Sequence, residues 1–208
     1  MNHQMADADT THASTSEDEA ANTQQHVTQP PLPVLTNAPK AYPGCCLALS
    51  APLIEHIHSL LPPIPALTLS IGSGFGLLEA YVLAISQPPH LLGVEVEKSP
   101  NQYLPAKKLR VVHGTRFLEP LAAEAATWLF VYPRRVGLVS EYLREHGQGI
   151  VEKIVWIGPQ ADWDDYLQCF AGWDVQIYNA DEVGGRAWDT IAVAKRMKHG
   201  CAAEDGAA

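Results

Sequence analysis

Three glycines spaced two apart, Gly72, Gly74 and Gly76, follow the apolar run Leu67-Thr68-Leu69-Ser70-Ile71 and precede Leu77-Leu78-Glu79-Ala80. The stretch reads as a buried strand, a tight turn and a helix. Glycines in such a turn let the backbone come close to a ligand. Some 19 residues past Gly76, a second apolar run, Leu91-Leu92-Gly93-Val94, closes on Glu95. A carboxylate at the end of the next strand can accept hydrogen bonds from ribose hydroxyls, so the unit suits a nucleoside-bearing ligand. The spacing is GxGxG. The dinucleotide fingerprint GxGxxG needs glycine or alanine at position 77, where the branched Leu77 obstructs close helix–strand packing. The pattern therefore leans away from nicotinamide cofactors, although glycine-rich turns also arise for packing alone. A side chain at Gly74 is expected to collide with a ligand lying on the loop.

The surrounding elements follow from periodicity and from proline and glycine punctuation. Ser50 can cap a helix with Pro52 in its first turn, running to about Leu61 and stopped by Pro62-Pro63. Strands are expected over 66–71, 91–97, 109–113, 127–132, 151–157, 173–178 and 190–194. Helices are expected over 77–86, 119–126, 136–146 and 163–170, with an irregular or short helical crossover at 101–108. Alternating strands and helices imply an α/β fold: a doubly wound, mainly parallel seven-stranded sheet with helices on both faces. Residues 179–188 leave no room for a crossover helix, so the last strand should run antiparallel to its neighbour.

Composition bounds the rest. The chain has 208 residues, 47% hydrophobic and 18% charged, enough for one domain with a sizeable core. The net charge of -9 makes a poor binder of phosphate backbones, so no nucleic-acid partner is expected. Cys45, Cys46, Cys169 and Cys201 lack metal-ligand spacing, and His56 and His58 fall on different helix faces, so no metal is expected. Reduced thiols suit a cytoplasmic protein, and neither a membrane span nor a secretory signal is read. Residues 1–41 are acidic and free of aromatics, and are expected to be a disordered tail. The folded domain is expected over 42–198, with a frayed end at 199–208.

With these elements placed, the chain from about Ser50 to Arg196 resembles the Rossmann-like class I methyltransferases that use S-adenosylmethionine. Gly72-Ser73-Gly74-Phe75-Gly76 is similar to that family's first motif, which wraps the methionine end of the cofactor. Gly93-Val94-Glu95 is similar to the second-strand motif whose acid holds the ribose; Glu97 is a substitute two residues on. Val112-His113-Gly114-Thr115 sits where the family usually has Gly-Asp at the adenine. Phe130-Val131-Tyr132-Pro133-Arg134 occupies the fourth-strand end, where methyl and acceptor meet. The resemblance implies Gly72, Ser73, Gly74, Gly76, Glu95 and Thr115 as cofactor-binding residues, S-adenosylmethionine as cofactor, and methyl transfer to a small-molecule acceptor or to a partner protein's side chain. Strings such as Ser-Ile-Gly-Ser-Gly and Phe-Val-Tyr-Pro-Arg are also similar to uncharacterised fungal proteins of this fold. Two departures stand out. The family commonly has an acid where this chain has Ser70, and Thr115 replaces the third-strand acid. They leave open an alternative, a methyltransferase-like scaffold without catalysis.

Candidate reactive groups lie at the carboxyl ends of strands. Tyr132 could line the methyl site or fill the sheet end. Arg134 could hold an anionic group or be solvated. Asp162 could be a general base or the N-cap of the following helix. Trp163 could wall an acceptor or pack its helix, and Arg186 and Trp188 could shape a pocket or close a turn. Glu79, just inside the first helix of the motif, could favour the helix dipole or meet the sulfonium region. None is an obligate base from sequence alone. The pocket also needs a cover, and residues 42–61 are the only apolar sequence available before the first strand.

Overall fold

The computed structural model describes residues 29–197. The parts of the expected tails within 1–28 and 199–208 lie outside them. Residues 29–41, expected in the tail, are packed: Leu32 and Leu35 lie against the core, and the Pro33 carbonyl accepts from Tyr81 Oη. Four prolines in this stretch restrict the unfolded chain, so little apolar contact is needed to order it.

Strands β1 (Lys40–Tyr42) and β2 (Cys45–Leu49) form an antiparallel hairpin ahead of the main sheet. Pro43-Gly44 makes its turn. Helix α1 (Ala51–Leu60) follows, and Ser50 Oγ accepts from Leu53 N–H at 3.2 Å, the cap the sequence calls for. Next come β3 (Leu67–Ile71), α2 (Leu77–Leu83), β4 (His90–Val96), β5 (Leu109–Val112) and β6 (Thr127–Val131). The chain closes with α3 (Val136–His146), β7 (Lys153–Pro159), α4 (Trp163–Leu167), β8 (Trp173–Asn179) and β9 (Asp189–Arg196). The seven-stranded sheet runs β5-β4-β3-β6-β7-β9-β8. All neighbours are parallel except β9, which is antiparallel to both β7 and β8. The last strand thus inserts between its predecessors. Its residues Thr190–Ala194 are buried throughout, whereas β8 alternates half-buried and exposed positions as an edge strand does.

Three expected helices are shorter. The helix expected over 77–86 ends at Leu83. Residues 119–126 form only a 3-10 turn, Pro120–Glu124, and 163–170 divide into α4 and a 3-10 turn, Gln168–Phe170. Pro120 opens the first of these 3-10 turns and strand β6 begins three residues after it ends, leaving no length for an α-helix. No α-helix joins β8 to β9; a four-residue 3-10 turn, Ala180–Val183, lies there.

The core lies on both faces of the sheet. One face packs the hairpin, α1 and α2 through Leu47, Leu53, Ile57, Leu77 and Val82 against Leu129, Val155 and Val193. The other packs α3 and α4 through Val139, Tyr142, Trp163 and Tyr166 against Trp128, Phe130 and Trp156. Trp128 and Trp156 are fully buried. At about 25 cal/mol per Å² each contributes on the order of 4–6 kcal/mol of transfer free energy, which anchors β6 and β7. No helix among the described residues is long and apolar enough to cross a membrane.

Candidate functional site

In this strand order the crevice between the carboxyl ends of β3 and β6 is the topological switch point, where chain connections leave in opposite directions. The glycine loop leaves β3 on one side of it and Tyr132 leaves β6 on the other.

All three loop glycines have positive φ: 84° at Gly72, 57° at Gly74 and 76° at Gly76. Gly76 is forced by packing, since an added Cβ would lie 2.6 Å from Asn101 Oδ1 and 2.8 Å from Leu104 Cγ. Gly72 is different: an added Cβ would meet nothing within 4 Å. Gly74 faces the hairpin, with the Gly44 carbonyl 3.5 Å from where its Cβ would be. Gly72 therefore has open space where a Cβ would stand, and Gly74 has only an ordinary contact with the hairpin turn. Gly44 itself sits over the Phe75 ring, so the β1–β2 turn covers the loop. That hairpin is the cover sought in residues 42–61.

Glu95 reaches back to the loop. Its Oε2 accepts from Gly74 N–H at 2.7 Å and its Oε1 from Val96 N–H at 2.8 Å. An ionised carboxylate offers about four acceptor positions, so roughly two remain for ligand hydroxyls. Glu97 points elsewhere, 3.5 Å from His113 Nδ1 and largely exposed. Gly93 admits the loop to β4; a Cβ there would lie 2.8 Å from Ser73 Oγ. Ser73 Oγ is buried without a partner.

Ser70, where the family resemblance leads one to look for an acid, has one beside it. Its Oγ donates to Glu79 Oε1 at 2.5 Å, and Glu79 is 2% exposed. Burial, opposed by the Ser70 bond, pushes the Glu79 carboxyl up to about 7. Its Oε2 has no partner. Helix α2 thus carries a carboxylate to the end of β3 that the strand itself lacks.

Across the crevice Tyr132 has φ 50°, strained for a tyrosine. Its Oη donates to Asp189 Oδ1, and burial and that bond push its hydroxyl well above the ordinary range. Asp189, at the start of β9, is 1% exposed, and its Oδ2 has no partner. Burial raises its carboxyl, opposed by the Tyr132 bond and the Arg186 charge. Sequence reading missed Asp189. The signal available was an acid opening the buried run Thr190–Ala194, a place where an unpaired carboxylate is costly.

Of the other candidates, Arg186 acts on this centre through its charge on Tyr132 and Asp189, and the rest lie apart from it. Arg134 is exposed. Asp162 is exposed and makes no capping bond, because the 3-10 turn Gln160–Asp162 runs directly into α4. Trp163 belongs to the core, stacked on Phe170 at 5.7 Å between ring centres. The Arg186 guanidinium lies over the Trp188 ring at 5.1 Å. Thr115 is exposed, and its carbonyl accepts from Arg135 Nη2 at 2.6 Å. It borders a cavity of about 1030 Å³, lined also by Arg116, Phe117, Arg135, Glu141 and Arg144. That cavity runs along α3 and shares only Thr115 with the residues above. Size alone does not make it the reactive site, because the buried unpartnered groups of Ser73, Glu79 and Asp189 are at the switch point.

No family model matches the chain and no curated protein does, so the similarity to fungal strings has no sequence relative behind it. Solved structures do match in fold. A precorrin-6y C5,15-methyltransferase from Geobacter metallireducens superposes with a TM-score of 0.52 at 13% identity, covering 73% of this chain and 92% of that one. A SAM-dependent methyltransferase from Aquifex aeolicus gives 0.52 at 13%, covering 70% and 89%. Human N-acetylserotonin methyltransferase, solved in complex with SAM, gives 0.50 at 16%, covering 71% and 51%. The chain has the Rossmann-like fold of these S-adenosylmethionine-dependent methyltransferases.

Proposed function

We propose that the protein binds S-adenosylmethionine on the Gly72–Gly76 loop and transfers its methyl group to an acceptor at the ends of β6 and β9. The observation that carries the reading is the Glu95 carboxylate seated on Gly74 N–H beside the switch point. The residues fit the cofactor: Gly72 leaves open space, Glu95 retains acceptor positions, and Ser73 Oγ and Glu79 Oε2 are buried without partners. They do not fit a pyrophosphate. The Gly74 N–H that a phosphate would use is taken by a carboxylate, and a second carboxylate lies under the loop. A negative site favours a sulfonium and repels a dinucleotide.

When bound, S-adenosylmethionine supplies an electrophilic methyl on a cationic sulfur. The chain contributes position and proton handling. Gly72, Ser73, Gly74 and Glu95 would hold the cofactor. The β1–β2 hairpin excludes water over Phe75. Tyr132 Oη, with its own proton held by Asp189, presents a lone pair to an acceptor hydroxyl or amine; Asp189 takes the proton as the acceptor loses it. Small-molecule acceptors suit a site covered by one hairpin.

Calorimetric titration tests the reading. S-adenosylmethionine or its demethylated product should bind and NAD should not. Charge-assisted bonds contribute roughly 1.5–3 kcal/mol, so Glu95→Ala should weaken binding about 10- to 150-fold while Glu97→Ala does not. Absence of binding by the wild-type protein at millimolar cofactor would end the proposal.

A further inference from the structure

Glu79 is the buried group that the reading above leaves without a task. Glutamate is rarely this buried unless paired. Here Ser70 satisfies one oxygen and nothing satisfies the other. Among the described residues its charged and titratable surroundings are the Cys45 thiol from β2 and the Glu95 carboxylate from β4. The Cys45 thiol is itself pushed up to about 12, first by burial and then by Glu79, so it stays neutral. No lysine, arginine or histidine among the described residues bridges to Glu79. A buried carboxylate facing a neutral thiol and a second carboxylate lacks a cation. Its place, bonded to the residue two before Gly72, puts it buried beneath the loop, next to the glycine whose added Cβ would meet nothing within 4 Å.

We infer that Glu79 selects the ligand by its amino-acid end, its free oxygen taking the ligand's ammonium in place of an acid at position 70. The inference rests on the S-adenosylmethionine reading. S-adenosylhomocysteine carries that ammonium; 5′-methylthioadenosine has the same nucleoside and thioether without it. An ammonium beside Glu79 favours the ionised carboxylate, so binding expels its proton. With the empty site titrating near 7, about half a proton should leave per ligand at pH 7, more at pH 6 and almost none at pH 8.5. Affinity for the amino-acid-bearing ligand should rise with pH toward about 7 and then level.

The experiment is calorimetry of both ligands in buffers of different ionisation enthalpy, with wild-type protein, Glu79→Gln and Glu79→Gln/Ser70→Asp. Glu79→Gln should bind S-adenosylhomocysteine about 10- to 150-fold more weakly, bind 5′-methylthioadenosine within about threefold of wild type, and release no proton. The double variant returns a carboxylate to the strand and should recover most of the affinity. Equal losses for both ligands, or proton release that survives in Glu79→Gln, would overturn the inference while leaving the cofactor reading intact. Failure of wild-type protein to bind either ligand would remove both. A Glu79→Gln protein that no longer melts cooperatively would leave the wild-type comparison to decide: equal affinity for the two ligands, with no proton release, overturns it.

Discussion

Two buried carboxylates flank the switch point, and they are built differently. Glu79 receives one hydrogen bond from Ser70 and faces Glu95, with no cation to steady it. Asp189 receives one from Tyr132 and feels the Arg186 charge. Each has a second oxygen without a partner. Glu79, with only the Ser70 bond and its own backbone N–H opposing burial, is poised to change protonation near neutrality, whereas Asp189 also has a cation favouring its ionised form. The first suits the arrival of a cation, and the second suits taking a proton during reaction. On the proposed function, the same crevice holds a binding acid and a reacting acid that differ in their neighbours.

The glycine loop breaks the comparison hardest if it is deformed. At Gly76 a valine would adopt φ 76° and drive its Cβ into Leu104 and Asn101. Left-handed strain and overpacking together cost about 2–5 kcal/mol, which should lower the melting temperature by roughly 10 °C. Gly72→Ala has the strain without the clash. It should lose only about 1–2 kcal/mol yet block the ligand. If both variants melt alike, the space at Gly72 is not real.

A smaller effect separates the two acids by pH. The Glu79 carboxyl is raised in the folded protein to about 7 from 4.5, so the folded state holds its proton longer than the unfolded state. Stability from this group is therefore unimpaired below about 4.5 and falls as pH rises to about 7, by about 3 kcal/mol in all. Glu79→Gln should remove that slope and melt higher than wild type at pH 8. Chemical denaturation at pH 5 and pH 8 checks it; a parallel loss in both proteins would place the titration elsewhere.

Much of the first half-site was legible because it is local. Gly74 and Glu95 are 21 residues apart and joined by one strand–helix–strand unit whose periodicity is plain. Leu77 and the helix-free connection before β9 likewise led to the right fold. The second half-site depends on distance. Tyr132 and Asp189 are 57 residues apart, and only the insertion of β9 beside β7 brings them together. Nothing in the spacing of Asp189 marks it. Glu79 was visible as a first-turn acid, but its burial against Ser70 requires the α2 packing angle. The hairpin escaped because Cys45–Leu49 is a continuous apolar run without strand alternation, and Pro43-Gly44 was the one turn signal. Ser70 and Glu79 read separately suggest a missing acid; together they show a relocated one.

The Tyr132–Asp189 pair offers the next effect in size. Tyr132→Phe strands a buried carboxylate and Asp189→Asn weakens the acceptor, so each alone should cost about 1–3 kcal/mol. Because they share one hydrogen bond, the double variant should cost less than the sum, with a coupling of about 2 kcal/mol. The raised Asp189 carboxyl acts in the same direction with pH as Glu79, stability falling as pH rises through its folded value. Additive losses in urea denaturation would show that the contact is not a working bond, and with it would go the contrast between the two acids.

The smallest expected effect comes from the ion pair on the wall of the large cavity, and its sign is opposite. Arg135 holds Glu141 through two bonds of 2.8 and 2.7 Å, and the bond from Arg135 keeps the Glu141 carboxyl below its ordinary range. The folded protein here gives up its proton sooner than the unfolded chain. The pair's contribution is therefore present above the ordinary carboxylate range and lost as pH falls through the folded value. Both groups are close to solvent, so screening limits the contribution to under about 1 kcal/mol. Glu141→Gln should lower the melting temperature by less than about 4 °C at pH 7, less still in 1 M salt, and less as pH falls through the folded value. Glu79→Gln differs on every count: stabilising at high pH, neutral at low pH and indifferent to salt. Melting curves of the two variants at pH 3 and pH 8, with and without salt, place both acids on one scale. A salt-sensitive Glu79 would mean that water reaches it, and a buried cation-seeking carboxylate would no longer describe that side of the crevice.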